Sequence, residues 1–226
     1  MKPHLLCCWL GLSCALLPVG TLEAAIDISP KRIELRGDVP QTITVSNNSD
    51  RIEYVTIATE LVTNPGVHFS KEQRIPMGLI RQPTLYASPF KLILRPQQHK
   101  VITLRPLKSV ASETVYRLNV RPIVQLQGTS GERLASGIAV NLSFSAIIRQ
   151  RPDHEKVRLD IQCEHGGVLL IATGNVHLAL KGIQADGLPV ADINLYPGTP
   201  QRLPGKQITL PGYGSCLAGK HTEKEL

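Results

Sequence analysis

Residues 137–149, GIAVNLSFSAIIR, carry an apolar side chain at every second position: Ile138, Val140, Leu142, Phe144, Ala146 and Ile148. The intervening Ala139, Asn141, Ser143, Ser145, Ile147 and Arg149 leave the opposite face mostly small or polar. A period of two is that of a β-strand, and a helix would spread the same residues around its circumference. The run is long against the usual strand of about five or six residues. It admits two readings. In one, its apolar face fills the core of its own sandwich. In the other, it lies at a sheet edge and offers backbone and alternate side chains to another polypeptide. Periodicity does not choose between them.

The rest of the chain obeys the same period. From Ile26 onward, short alternating runs are separated by turn residues. They include 32–36, 41–46, 53–61, 90–94, 100–105 and 115–123, with Gly37-Asp38, Asn47-Asn48-Ser49-Asp50, Pro65-Gly66 and Arg95-Pro96-Gln97-Gln98 as breaks. Residues 66–83 read as a looser connection. Past Pro152 a second series follows, with strands at 157–161, 168–172, 176–183 and 207–210. Short strands at about ten-residue spacing, without an amphipathic helix, predict an all-β chain of sandwiches. The units are residues 25–151 and 152–226, the second being small for a core of its own.

The first 24 residues have a different character. Lys2, an apolar stretch from Leu5 to Val19 and the small residues Ala24-Ala25 read as a secretory signal peptide, cleaved after Ala24 with Ala25 as the alternative. No later segment approaches the roughly 20 apolar residues of a membrane-spanning helix. Losing Lys2 and Glu23 leaves the formal charge of +7 unchanged. There is no basic run and no interleaving of basic with aromatic residues, so nucleic acid is not an expected partner. Of five cysteines, Cys163 and Cys216 lie beyond the signal. An even number in an exported chain predicts one disulfide; a Cys₂His₂ metal site with His165 and His221 is the alternative.

No catalytic pattern emerges. Gly205-Lys206 lacks the spacing and the Ser or Thr of a phosphate loop, and His154-Glu155 lacks the second histidine of a zinc motif. Ser215 in Gly212-Tyr-Gly214-Ser-Cys216 does not sit in a nucleophile elbow. The chain is expected to be no enzyme, to need no cofactor and to act through binding energy.

At this point the order of motifs resembles a family. SPKRIELRGD near the start, SPFKLILRPQQHKVITLRP in the middle, then VYRLNVRPI, a loop and the alternating run are similar to the periplasmic chaperones of the chaperone–usher pathway. AVNLSFSAIIRQRP and GNVHLALKGI look most like the alternate chaperones serving CS1/CFA/I-type pili. The resemblance implies two immunoglobulin-like sandwiches arranged around a cleft. It also implies a periplasmic location, pilin (fimbrial) subunits and an outer-membrane usher as partners, and self-association as an option when free. In that family the last strand of the first domain lends apolar side chains to a pilin whose own sandwich lacks a strand. Ile138, Val140, Leu142 and Phe144 would be the donors, each contributing about 1.5–3 kcal/mol if buried. The family also anchors the pilin's terminal carboxylate with an Arg and a Lys. Arg32 falls at the first position, whereas Ser145 replaces the Lys, which leaves a single cation and a hydroxyl. Asn119 and Arg121 would be structural, and Ser88-Pro89 matches a bond often cis in the family. The competing function is an exported immunoglobulin-like adhesin or structural surface protein.

Overall fold

The computed structural model describes residues 25–123, 142–217 and 220–222. The expected signal peptide, residues 1–24, lies outside the described residues, as do Ile138 and Val140. The strands of the first half are β1 (Ile26–Ser29), β2 (Arg32–Leu35), β3 (Gln41–Asn47), β4 (Glu53–Val62), β5 (Arg74–Pro76), β6 (Leu85–Ser88), β7 (Lys91–Leu94), β8 (His99–Pro106), β9 (Thr114–Pro122) and β10 (Phe144–Gln150). Helical structure among the described residues is limited to two 3₁₀ turns, Phe69–Lys71 and Met77–Leu79. The span 66–83, expected to be a loose connection, thus carries β5 and both turns.

Two sheets face each other. One runs β1-β3-β8-β6; the other runs β2-β10-β9-β4-β5, with β7 pairing β4. Alternate residues of both line one core, from Ile26 and Ile28 through Ile43, Val45, Ile102 and Leu104 to Leu118, Val120, Ala146 and Ile148. The turn at 47–50 is shaped by Asn47, which is fully buried. Its amide donates to the carbonyls of Arg51, Leu94 and Arg95 at 2.7–3.1 Å, while its oxygen accepts from the Ser49 N–H at 2.9 Å. A buried amide must find such partners, and here finding them stops the strand.

The second half comprises β11 (Leu159–Glu164), β12 (Gly167–Ala172), β13 (Leu178–Leu180), β14 (Gln184–Ala185), β15 (Leu188–Pro189), β16 (Ile193–Leu195), β17 (Gln201–Pro204), β18 (Gln207–Leu210), β19 (Gly214–Leu217) and β20 (Lys220–Thr222). They form sheets β11-β12-β17, β13-β16 and β15-β14-β18-β19-β20. Their core, including Val168, Leu170, Leu180, Leu195, Ile208 and Leu210, is separate from the first. Cys163 on β11 and Cys216 on β19 are joined in a disulfide, with Cα atoms 5.5 Å apart. With both sulfurs bonded, a Cys₂His₂ site with His165 and His221 loses its thiolates. The chain is an all-β protein of two sandwiches. No helix among the described residues is long and apolar enough to cross a membrane.

Candidate functional site

The long alternating run does not behave as one uniform strand. β9 flanks β10 along its whole length, from Phe144 opposite Val120 to Gln150 opposite Thr114. On the other side, β2 covers only the last four residues, Ile147 to Gln150, in parallel. The N–H groups of Ile147 and Arg151 donate to the carbonyls of Lys31 and Leu35, both at 2.9 Å. Odd-numbered residues of β10 therefore turn their backbone polar groups toward β2. Ser145 has the same parity but lies ahead of the start of β2. Its N–H and C=O face an edge against which the described residues place no strand.

The reason is the path of the preceding chain. β1 pairs with β3 in the opposite sheet, and the chain changes sheets at Pro30, which has no N–H to give a ladder. The Ser29-Pro30 bond is cis, as is Ser88-Pro89. A second proline limits β10 on its other flank. Continuing the register would set Leu142 opposite Pro122. Ile123 donates its N–H to Tyr54 of β4 at 2.7 Å, so the missing N–H of Pro122 is one that would have faced β10. Among the described residues the β9–β10 register begins at Phe144. Leu142 and Ser143 lie outside it, and Leu142 is 55% exposed.

Side chains along β10 alternate as the sequence requires. Ala146 and Ile148 are fully buried in their own core, and Phe144 is half-buried and packs against it. Of the four expected donors, Leu142 is thus outward and Phe144 is partly taken by its own sandwich. Ser145, Ile147 and Arg149 occupy the outer face of the sheet. Arg32, directly opposite Ile147, shares that face and is exposed. Its neighbours are paired: Arg36 with Glu34 and Glu155, Arg149 with Glu34, Arg117 with Glu72. Among the described residues Arg32 has no ion pair. Ser145 Oγ accepts a bond from Arg117 Nη1 at 3.0 Å. Asn119, opposite Ser145, donates to Glu60 at 2.9 Å, and the Arg121 side chain is exposed.

Beside this face the two sandwiches meet. Val62, Val115 and Tyr196 are buried together with Ile147 against them. Burial pushes the Tyr196 hydroxyl above the ordinary tyrosine range, against the opposing charges of Arg149 and Arg32. A polar node adjoins it. His177 stacks on Tyr196, with ring centroids 5.0 Å apart. Its backbone N–H donates to Glu113 at 2.7 Å, its Nδ1 lies 2.8–2.9 Å from both Glu113 oxygens, and its Nε2 lies 2.8 Å from Arg149 Nη1. A guanidinium only donates, so Nε2 accepts from Arg149, while Nδ1 lies between the Glu113 carboxylate and Arg151 Nη1, the latter at 3.2 Å. Arg151 completes the node, 3.6 Å from Glu113. Residues 113, 151 and 177 are far apart in sequence, and no local pattern marks them as a group.

Comparison with solved structures identifies the fold. The fold is that of the pilus chaperones: a chain from a chaperone–tip adhesin complex of CFA/I fimbriae biogenesis superposes with a TM-score of 0.66 at 22% identity, covering 89% of this chain and 99% of that one. The class 5 fimbriae chaperone CfaA gives 0.64 at 21%, covering 89% and 96%. The Escherichia coli chaperone DraB gives 0.55 at 15%, covering 89% and 96%. The resemblance read from the sequence holds at the level of the fold. By sequence the chain is 29% identical over 176 residues to a CS1 fimbrial protein of Escherichia coli, covering 76% of this chain and 72% of that protein. It is 27% identical over 163 residues to a CFA/I fimbrial protein of the same organism, covering 69% and 66%. No family model matches.

Proposed function

We propose that this chain is a non-catalytic periplasmic chaperone that captures fimbrial subunits by lending them the edge of β10 and hands them to an outer-membrane usher. The observation that carries this reading is the edge at Ser145, where among the described residues no strand lies against the outward backbone groups, beside the exposed Arg32, which has no ion pair among those residues. An edge kept open next to an uncompensated cation is a hazard for a protein acting alone and an asset for one that completes a partner's sheet. An exported adhesin would need neither feature, and the fimbrial-protein matches do not favour it.

In this reading Ile138, Val140 and Leu142 enter the pilin's groove, and Phe144 marks where the strand returns to its own core. Arg32 holds the pilin's terminal carboxylate. Residues 25–151 form the pilin-binding domain and residues 152–226 the smaller one, with residues 1–24 removed on export. The test is capture in the periplasm. The tagged chain should co-purify with a small fimbrial protein, and Val140→Asp should abolish co-purification while leaving circular dichroism and thermal unfolding unchanged. If Val140→Asp unfolds the first domain instead, its side chain belongs to the core and the donor role is wrong.

A further inference from the structure

We propose that Phe69 is a fixed aromatic contact for the body of the captured fimbrial subunit. It takes an aliphatic or aromatic side chain of that protein, outside the strand that lies along β10. This rests on the proposed function and extends it from the captured strand to a second point on the same partner.

Phe69 is 54% exposed, yet the loop that carries it, residues 63–73, is tied down on three sides. At its base Asn64 donates to the Lys71 carbonyl at 3.0 Å and accepts from the Gln73 N–H at 2.6 Å. On one flank the Gly66 carbonyl accepts from Gln201 of the second sandwich at 3.0 Å. Gly66 has a φ of 90°, and a Cβ there would collide with the Asn194 carbonyl, so only glycine lets the loop lie this close to the second sandwich. On the other flank Glu72 accepts from Arg117 Nε at 2.8 Å and from Nη2. The ring itself lies against two guanidinium groups, with Arg117 Cζ at 4.8 Å and Arg74 Cζ at 5.0 Å from its centroid. An exposed ring already held in one place has little freedom left to lose when a partner covers it.

The surroundings of the ring select the group it takes. Arg117 is paired with Glu72, and Arg74 with Glu60 at 3.4 Å and Glu72 at 3.9 Å. Two cations and two carboxylates cancel. An incoming cation would meet guanidinium groups already over the ring, and an incoming carboxylate would meet Glu60 and Glu72. An apolar side chain meets neither penalty and gains the area of ring it covers.

The position of the ring selects the partner. Arg117 stands on β9 opposite Ile147, and its remaining Nη1 donates to Ser145 Oγ at 3.0 Å. Through Arg117 alone, therefore, the ring is linked to the residue whose outward backbone groups have no strand against them among the described residues. A protein docked along that edge lies beside Phe69.

The test is a competition between whole chains. Unchanged protein and variant, differently tagged, are co-expressed with the fimbrial subunit that the unchanged protein retains, and the share held by each is read after purification. Phe69→Ala should hold about thirtyfold less subunit, the loss typical of a buried aromatic anchor. Phe69→Leu, which keeps an apolar side chain, should fall much less. Both variants should bind a synthetic strand-forming peptide of alternating apolar residues as the unchanged protein does. If Phe69→Ala shares the subunit equally, the ring touches nothing in the complex and the inference fails while the function stands. If it weakens peptide and subunit alike, the ring only supports the edge at Ser145, and the inference fails again. Sedimentation of the free unchanged chain as a dimer that Phe69→Ala dissolves would make a second copy the occupant and overturn it as well. If the unchanged protein retains no fimbrial subunit, the proposed function itself is wrong and the inference falls with it.

Discussion

Glu113 shows how a single side chain can tie two domains together. Its carboxylate is fully buried, and burial alone would raise its pKa. The side-chain and backbone hydrogen bonds from His177, with the charge of Arg151, override that and hold it below the ordinary 4.5. A carboxyl group depressed in the folded state binds fewer protons folded than unfolded. Its contribution is complete above pH 4.5 and drains away as pH falls through the lower folded value. Glu155, drawn down to about 2 mainly by its hydrogen bond from Arg151, acts in the same direction over the same acid range. Glu113→Gln should therefore cost about 1.5–3 kcal/mol at neutral pH in urea unfolding. It should also flatten the decline of stability below pH 4.5. Were the acid limb unchanged, the depressed carboxyl would not be Glu113.

At the scale of the strand, Pro122 lacks the N–H that would carry the described β9–β10 register past Phe144. Replacing it with threonine restores an N–H facing β10 and allows the ladder to reach Leu142. Pro122→Thr should stabilise the first sandwich by about 0.5–1.5 kcal/mol and, under the proposed function, slow capture of a fimbrial subunit, read by denaturation and by the rate of co-purification. This element also measures what the sequence discloses. The alternation of residues 137–149 gives the faces of β10 correctly: Ala146 and Ile148 inside, Ser145 and Arg149 outside. It does not give the extent of the ladder, because that depends on what lies opposite, and Pro122 and Pro30 are remote in sequence. Most strands in the first sandwich are legible to within a residue or two, since each carries its own alternation. β6 and β5 are too short to show one, and much of the second sandwich is cut into two- to four-residue pieces for the same reason. Of the candidate site, Arg32 and Ser145 are positions to which the resemblance points. Arg117 and Glu72 are not, because a contact across 45 residues leaves no periodic trace.

In the whole molecule, the two sandwiches differ in how they are held. The first has an extensive core spanning both sheets; the second has fewer buried apolar residues and a covalent staple between β11 and β19. Closing a loop with a sequence separation of 53 residues stabilises by about 4 kcal/mol in the chain-entropy account. Changing both Cys163 and Cys216 to serine should lower the unfolding transition of the second sandwich and leave the first nearly where it was. Calorimetry would resolve the two events; a single transition shifted as one would show that the junction at Glu113 and Tyr196 couples them completely.

The sheet change at Pro30 has one more consequence. Under the proposed function, a strand lying against Ser145 and ending at Arg32 arrives in line with β2, head to tail. It therefore travels in the same direction as β10 and is measured from its last residue backward. Such a gauge is intolerant of added length: one extra amino acid at the visitor's end would move every alternate side chain to the wrong face. Fimbrial proteins extended by a single residue at that end should go uncaptured, while those extended at the other end pass freely.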